Sequence, residues 1–175
     1  MKAALPTLAL LILLTGCGAT APENQPKTPT PAAASETTDP LYEEAVAVAK
    51  AIDEIDQMYY LKNKYDPFPE EEYAKYSAGN FLQASKGLYE KANAENIENL
   101  DTAEGMTRYR PLPGVSLDGS EIAIQQCVDG TRTKHRINGV EGYGFMTQSN
   151  YFFKKFDGKL KAFRVKTSKE GQCDW

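Results

Sequence analysis

Histidine is almost missing: His135 is the only one in 175 residues. That excludes a metal site built from several histidines and leaves little for imidazole catalysis. An excess of positive charge is missing too. Twenty Lys and Arg stand against 24 Asp and Glu, a formal charge of −4, which argues against nucleic acid as a partner. Cysteine is sparse, three residues without a C-x-x-C pair, so no redox couple is encoded locally. No serine lies in a G-x-S-x-G or S-x-x-K setting, and neither H-E-x-x-H nor a phosphate loop occurs. No sequence motif calls for a cofactor or a metal. The longest apolar run, residues 3–14, is too short to span a bilayer as a mature helix.

That run is nonetheless informative by position. One basic residue, Lys2, precedes it and the small pair Thr15-Gly16 follows it, the order of a removable secretory leader over 1–16. The quartet Leu14-Thr15-Gly16-Cys17 resembles the bacterial lipobox. The resemblance implies that Cys17 becomes the first mature residue and carries a thioether-linked diacylglycerol with palmitate-type chains. Two or more acyl chains anchor stably where one is marginal, so the expected location is the extracytoplasmic face of the cell membrane. Gly18, not Asp, follows Cys17, so nothing marks retention at the inner membrane of a Gram-negative host. Loss of Lys2 with the leader takes the expected mature charge to −5.

Residues 17–40 form the expected anchor and tether. Pro22, Pro26, Pro29 and Pro31 alternate with Ala, Thr and Glu, a composition that cannot bury a core and favours extended chain. The remaining 41–175 is long enough for one globular domain with its own core. Two-domain enzymes and repeat arrays are excluded by length.

Asp39-Pro40 predicts a helix start, an N-cap followed by proline at the first helical position. Leu41, Ala45, Val48, Ile52, Ile55 and Tyr59 follow at helical spacing, and the helix is expected to reach about Lys64. Two shorter helices are expected over 69–77 and 79–92. Gly, aromatic and β-branched residues then dominate. Strands are expected over 107–117, broken or at an edge because of Pro111 and Pro113, and over 121–128. A polar loop is expected over 129–139, a long strand over 141–156 and a last strand over 159–167. Asp118-Gly119 and Asp157-Gly158 are hairpin signals. The expected class is α+β, three N-terminal helices packed on one curved four-stranded antiparallel sheet.

This element order resembles the nuclear transport factor 2-like superfamily, a cystatin-like cone. More narrowly, Tyr76-Ser77-Ala78-Gly79, Cys127-Val128-Asp129 and Gly171-Gln172-Cys173 resemble segments of small actinobacterial or actinophage lipoproteins with that fold. The resemblance implies a cone-shaped cavity between helices and sheet. The closing tryptophan of the last strand in many such proteins is not matched, since Phe163 stands at the equivalent place.

With Cys17 assigned to lipid, Cys127 and Cys173 remain, and an exported pair is expected to be oxidised. The second and fourth strands of a meander run the same way, which puts both cysteines at one end of the sheet. A redox or metal role is the alternative.

The ten tyrosines supply the candidate site. Tyr59, Tyr60, Tyr73, Tyr76, Tyr89, Tyr143 and Tyr151 are placed to line a cavity for a sugar, lipid or peptide. On the long third strand, Tyr143, Phe145, Tyr151 and Phe153 are expected to share one face. Tyr59, Tyr76, Tyr143, Phe145, Tyr151 and Phe153 are the preferred lining, the alternative being ordinary core aromatics with wet tips. Asp53, Glu54 and Asp56 fall off the apolar stripe and read as a solvated face, and Glu70–Glu72 as partners of a helix dipole. His135 falls in the polar loop.

Charge divides unevenly. Residues 41–110 carry net −6 and residues 111–175 net +3, so a basic sheet surface facing anionic lipid or cell-wall polymer is one reading and an ordinary polar face the other. The expected function is a non-catalytic, lipid-anchored envelope binding or interaction protein that holds a small apolar or sugar-like ligand. An envelope enzyme and a phage-encoded superinfection-exclusion lipoprotein are the alternatives.

Overall fold

The structure is a computed structural model and describes residues 39–101, 105–168 and 173. The expected leader, Cys17 and the tether up to residue 38 lie outside the described residues, while Asp39 and Pro40, the expected end of the tether, begin the first helix. No helix among the described residues is long and apolar enough to cross a membrane.

The fold is α+β. Helices α1 (Pro40–Leu61), α2 (Glu70–Tyr73) and α3 (Gly79–Ala94) precede the strands β1 (Glu98–Asn99), β2 (Met106–Pro111), β3 (Ile122–Asp129), β4 (Lys134–Ile137), β5 (Val140–Tyr143), β6 (Met146–Phe156) and β7 (Lys159–Ser168). Asp39 caps α1 with its side chain, accepting from the Leu41 amide at 2.9 Å. The helix ends three residues before Lys64 because Asn63 turns to φ 50 and the Lys64 amide folds back to the Tyr59 carbonyl at 3.1 Å. Its buried face is Ala45, Ala49, Ile52 and Ile55. Two alanines there let the helix lie close on β3 and β7. α2 stops short of the expected 77 because residues 76–78 bond to a strand instead. The Ala162 amide donates to the Tyr76 carbonyl and the Ala78 amide to the Ala162 carbonyl, both at 2.9 Å. α3 then opens at Gly79, whose φ of +55 suits glycine.

Two antiparallel sheets replace the single sheet expected: a four-stranded one in the order β2-β3-β6-β7 and a three-stranded one in the order β1-β4-β5. Two expectations fail at this point. Residues 129–139 are not a plain loop, since they hold β4. Asn138-Gly139 takes φ 49 and 83, the geometry of a type I′ hairpin joining β4 to β5. The long third strand also breaks. At Gly144 the backbone passes so close to the Gly130 carbonyl and Thr133 that a Cβ would collide with both. The Gly144 amide donates to the Thr133 carbonyl at 2.9 Å, and the Gly130 amide to the Phe145 carbonyl at 3.2 Å. β5 therefore leaves for the second sheet and β6 stays in the first. β2 lies at an edge and ends at Pro111, which has no amide to donate.

One face of the four-stranded sheet meets the helices. Ile124, Tyr151, Phe153, Leu160 and Ala162 join the buried residues of α1, α2 and α3 in the main core. On the opposite face Ala123, Phe152 and Phe163 form a small cluster closed by Leu112, Leu117 and Phe156. Cys127, near the end of β3, is disulfide-bonded to Cys173, with Cα atoms 5.9 Å apart. β3 and β7 are both antiparallel to β6 and so run alike, which brings the chain after β7 to that end.

Candidate functional site

The site grows from the boundary of the α1 stripe. Asp53 and Asp56 each follow a buried isoleucine, Ile52 and Ile55, and lie three apart, so they share a face about one-quarter turn round from the core. That face is not solvated as expected. It looks onto the sheet and α3, and both aspartates are half-buried. Their partners are neutral donors. Gln126 Nε2, on β3 and 4% exposed, donates to both Asp53 oxygens at 2.9 and 2.8 Å, and the Tyr109 hydroxyl donates to Oδ2. Asp56 Oδ1 accepts from the Tyr89 hydroxyl at 2.9 Å and from the Tyr73 hydroxyl. Oδ2 takes no hydrogen bond from the described residues.

Lys50 borders the same side of α1, but among the described residues neither carboxylate forms an ion pair, and burial sets the electrostatics. Desolvation pushes the Asp56 carboxyl up to about 6, against the lowering effect of its two tyrosine donors. Asp53 is raised for the same reason, against Tyr109 and Gln126. The phenols of Tyr73, Tyr89 and Tyr109 are raised by burial first and by the adjacent carboxylate second, so they are neutral donors at any physiological pH.

Two cavities meet at these groups. The larger, about 540 Å³, is bounded by Asp53, Glu54, Asp56, Gln57 and Tyr60 of α1, by Thr107 and Tyr109 of β2 and by Val128, Gly130 and Thr133. The smaller, about 340 Å³, is bounded by Asp56, Tyr60, Tyr65, Tyr73, Phe81, Ser85, Tyr89, Ser149, Tyr151 and Thr167, among others. Asp56 and Tyr60 border both. Rings pack edge-on around the smaller one. Tyr89 meets Tyr59, Tyr65 and Tyr73 with centroids 6.0, 6.1 and 5.9 Å apart.

Of the six preferred lining residues, Tyr151 alone borders either cavity. Phe153 is 0% exposed and belongs to the core, while Tyr59 and Tyr76 pack against it. Tyr143 and Phe145 are 67% and 53% exposed. The break at Gly144 separates them from Tyr151 and Phe153, so the four do not share one face. His135 sits on β4 opposite Gly142 and borders neither cavity. Asp129, at the end of β3, is held by Thr131, whose amide and hydroxyl donate to it at 3.0 and 2.7 Å. Asp53, Asp56, Tyr65, Tyr109 and Gln126 were outside the preferred set. The available signal was the spacing: two acids three apart, each directly after a stripe residue, in a chain rich in tyrosine.

No group of three or more His, Cys, Asp or Glu placed to hold a metal occurs among the described residues. What the arrangement offers is a carboxyl oxygen open to a ligand donor, hydroxyls and aromatic faces. Comparison with known proteins returns no matching family model and no matching curated protein, so the chemistry rests on this geometry.

Proposed function

We propose that this chain is a lipid-anchored binding protein on the extracytoplasmic face of the cell membrane, holding a small apolar or sugar-like ligand without turning it over. In this reading Cys17 carries the lipid, the chain from Cys17 to the start of α1 is the tether, and the folded part is a cone of the nuclear transport factor 2-like type. Its helices α1 and α3 fill the concave face of the four-stranded sheet. The observation that carries the binding reading is the pairing of Asp53 and Asp56 with neutral tyrosine and glutamine donors at cavity walls. Such an arrangement holds carboxylates in place while leaving hydrogen-bonding capacity for a guest. On the sheet's other face, register positions put Arg108, Arg110, Lys166 and Arg164 on one side; Arg164 is paired with Asp118 at 2.9 Å and Arg110 donates to Gln125 at 2.7 Å, and the basic character of that side suits an anionic lipid or cell-wall polymer as neighbour.

Two measurements test the reading. Cys17→Ala moves the protein from the membrane to the soluble fraction and abolishes fatty-acid labelling; a labelled, membrane-bound variant contradicts the anchor. A thermal-shift screen of small molecules finds a stabilising ligand whose effect is lost in Asp56→Ala; ligands that ignore Asp56 contradict the cavity assignment.

A second reading, an envelope enzyme, is favoured by one observation: burial raises the Asp56 carboxyl to about 6 beside two hydroxyls, in the direction a proton-transfer group needs. A substrate whose turnover is lost in Asp56→Asn while its binding survives would put this reading first.

A further inference from the structure

Tyr65 Oη is buried and has no hydrogen-bond partner among the described residues. Native structures rarely leave a buried hydroxyl unpaired unless a ligand or an ordered water completes it. Tyr65 stands between two cavities: it borders the smaller one with Asp56, Ser149 and Thr167, and a neighbouring one of about 370 Å³ with Phe68, Glu70, Lys86 and Glu90. The polar groups of the smaller cavity are unlike one another. Asp56 Oδ2 is a spare acceptor, because Tyr73 and Tyr89 both bond to Oδ1. Tyr65 Oη is a spare donor and acceptor. The Ser149 and Thr167 hydroxyls bond each other at 2.9 Å and keep acceptor capacity. Phe81 and Tyr151, whose ring centroids lie 5.4 Å apart, border the same cavity.

Among the described residues no Lys or Arg borders this cavity, and Asp56 is the only acid there. An anionic guest meets a carboxyl group with no cation to offset it. An apolar guest leaves Asp56 Oδ2 and Tyr65 Oη unpaired, a mismatch that rejects analogues lacking the hydroxyl strongly. A cationic guest finds a single acid among the described lining residues and brings no acceptor for the Tyr65 hydroxyl. A neutral ring bearing several hydroxyls satisfies all the groups and stacks on an aromatic wall. About 340 Å³ lies at the small end of ligand pockets, which fits one ring and not a chain of them.

Resting on the binding reading above, we infer that the smaller cavity is the seat of a single neutral sugar ring, hydrogen-bonded by Asp56 and Tyr65 and stacked on Tyr151 and Phe81. The test uses the full chain, with thermal unfolding followed at about 50 mM of each probe so that millimolar binding registers. The probes are glucose, galactose, mannose and N-acetylglucosamine, with cyclohexanol and tetramethylammonium as apolar and cationic counterparts. At least one sugar raises the melting temperature. Tyr65→Phe weakens that sugar's binding about tenfold or more, yet leaves the unliganded chain as stable as before or more so, because an orphan hydroxyl has gone. That opposite movement of binding and stability separates a ligand contact from a structural one. Protection by cyclohexanol or tetramethylammonium and by no sugar overturns the inference and leaves the binding reading intact. Protection by none of the six overturns both. Sugar binding that Tyr65→Phe does not change overturns the placement, as does a sugar-soaked crystal with only water on Tyr65 Oη.

Discussion

Replacing Asp56 with Asn removes a buried charge while keeping the acceptor that Tyr73 and Tyr89 use. The carboxyl stands at about 6 in the folded chain against 3.8 as its ordinary value. About two units at 1.36 kcal/mol each makes the ionised form about 3 kcal/mol less compatible with the fold than the protonated form. The folded state therefore binds more protons than the unfolded state between those values, and stability falls as pH rises through that window. The contribution is complete below about pH 4, is lost by about pH 6 to 7, and is flat above. Asn does not ionise, so Asp56→Asn lacks this loss. Relative to wild type, the variant gains about 3 kcal/mol between pH 4 and pH 7. Asp53 is raised in the same direction, but it is present in both chains and largely cancels in the difference. Asp56→Ala behaves otherwise. Relative to Asp56→Asn, it leaves two tyrosine hydroxyls without an acceptor and costs about 2–4 kcal/mol at every pH, since neither variant ionises. Urea unfolding followed by far-ultraviolet circular dichroism at pH 4, 5, 6 and 7 reads all three chains. A difference between Asp56→Asn and wild type that is flat with pH, or that shrinks as pH rises, refutes the reasoning.

Two further outcomes bear on the frame around the site. The unreduced chain shows no free thiol at Cys127 or Cys173 by alkylation and intact mass, and reduction costs about 4 kcal/mol for a separation of 46 residues; two freely alkylated thiols in the native protein contradict the pairing. Gly144→Ala places a methyl against the Gly130 carbonyl, so urea unfolding detects a loss of about 2 kcal/mol or more. A neutral result there means the crossing at Gly144 is not tight.

Much of the fold was legible because it is encoded locally. Asp39-Pro40 marks the start of α1, the stripe through Ile52 and Ile55 marks its buried face, and Asp157-Gly158 marks the β6–β7 hairpin. β3 and β7 fall within a residue of their expected limits. Asn138-Gly139 was as good a hairpin signal as the others, and reading it would have exposed β4 and β5. The break at Gly144 was not legible, because it depends on a close approach to Gly130, fourteen residues away in the chain. Asp53 and Asp56 were misread for the same kind of reason. Helical spacing fixes the angle of a residue from the core stripe. It does not say whether that angle meets water or the edge of a sheet, and here β2 with Tyr109 and α3 with Tyr89 close over it. Tyr151 was found because it lies two residues from Phe153 on one face of β6, whereas Tyr143 and Phe145 were misplaced by assuming one unbroken strand.

Native mass spectrometry of the anchored chain, extracted gently from its own membranes, tests the central claim most directly, that the cavities at Asp56 are a binding site. The account expects a small-molecule adduct on the wild-type chain. The adduct should be absent from Ser149→Phe, which fills the smaller cavity, and weakened in Tyr65→Phe. A bare wild-type mass under conditions that preserve weak complexes, or an adduct retained at full occupancy in Ser149→Phe, contradicts it.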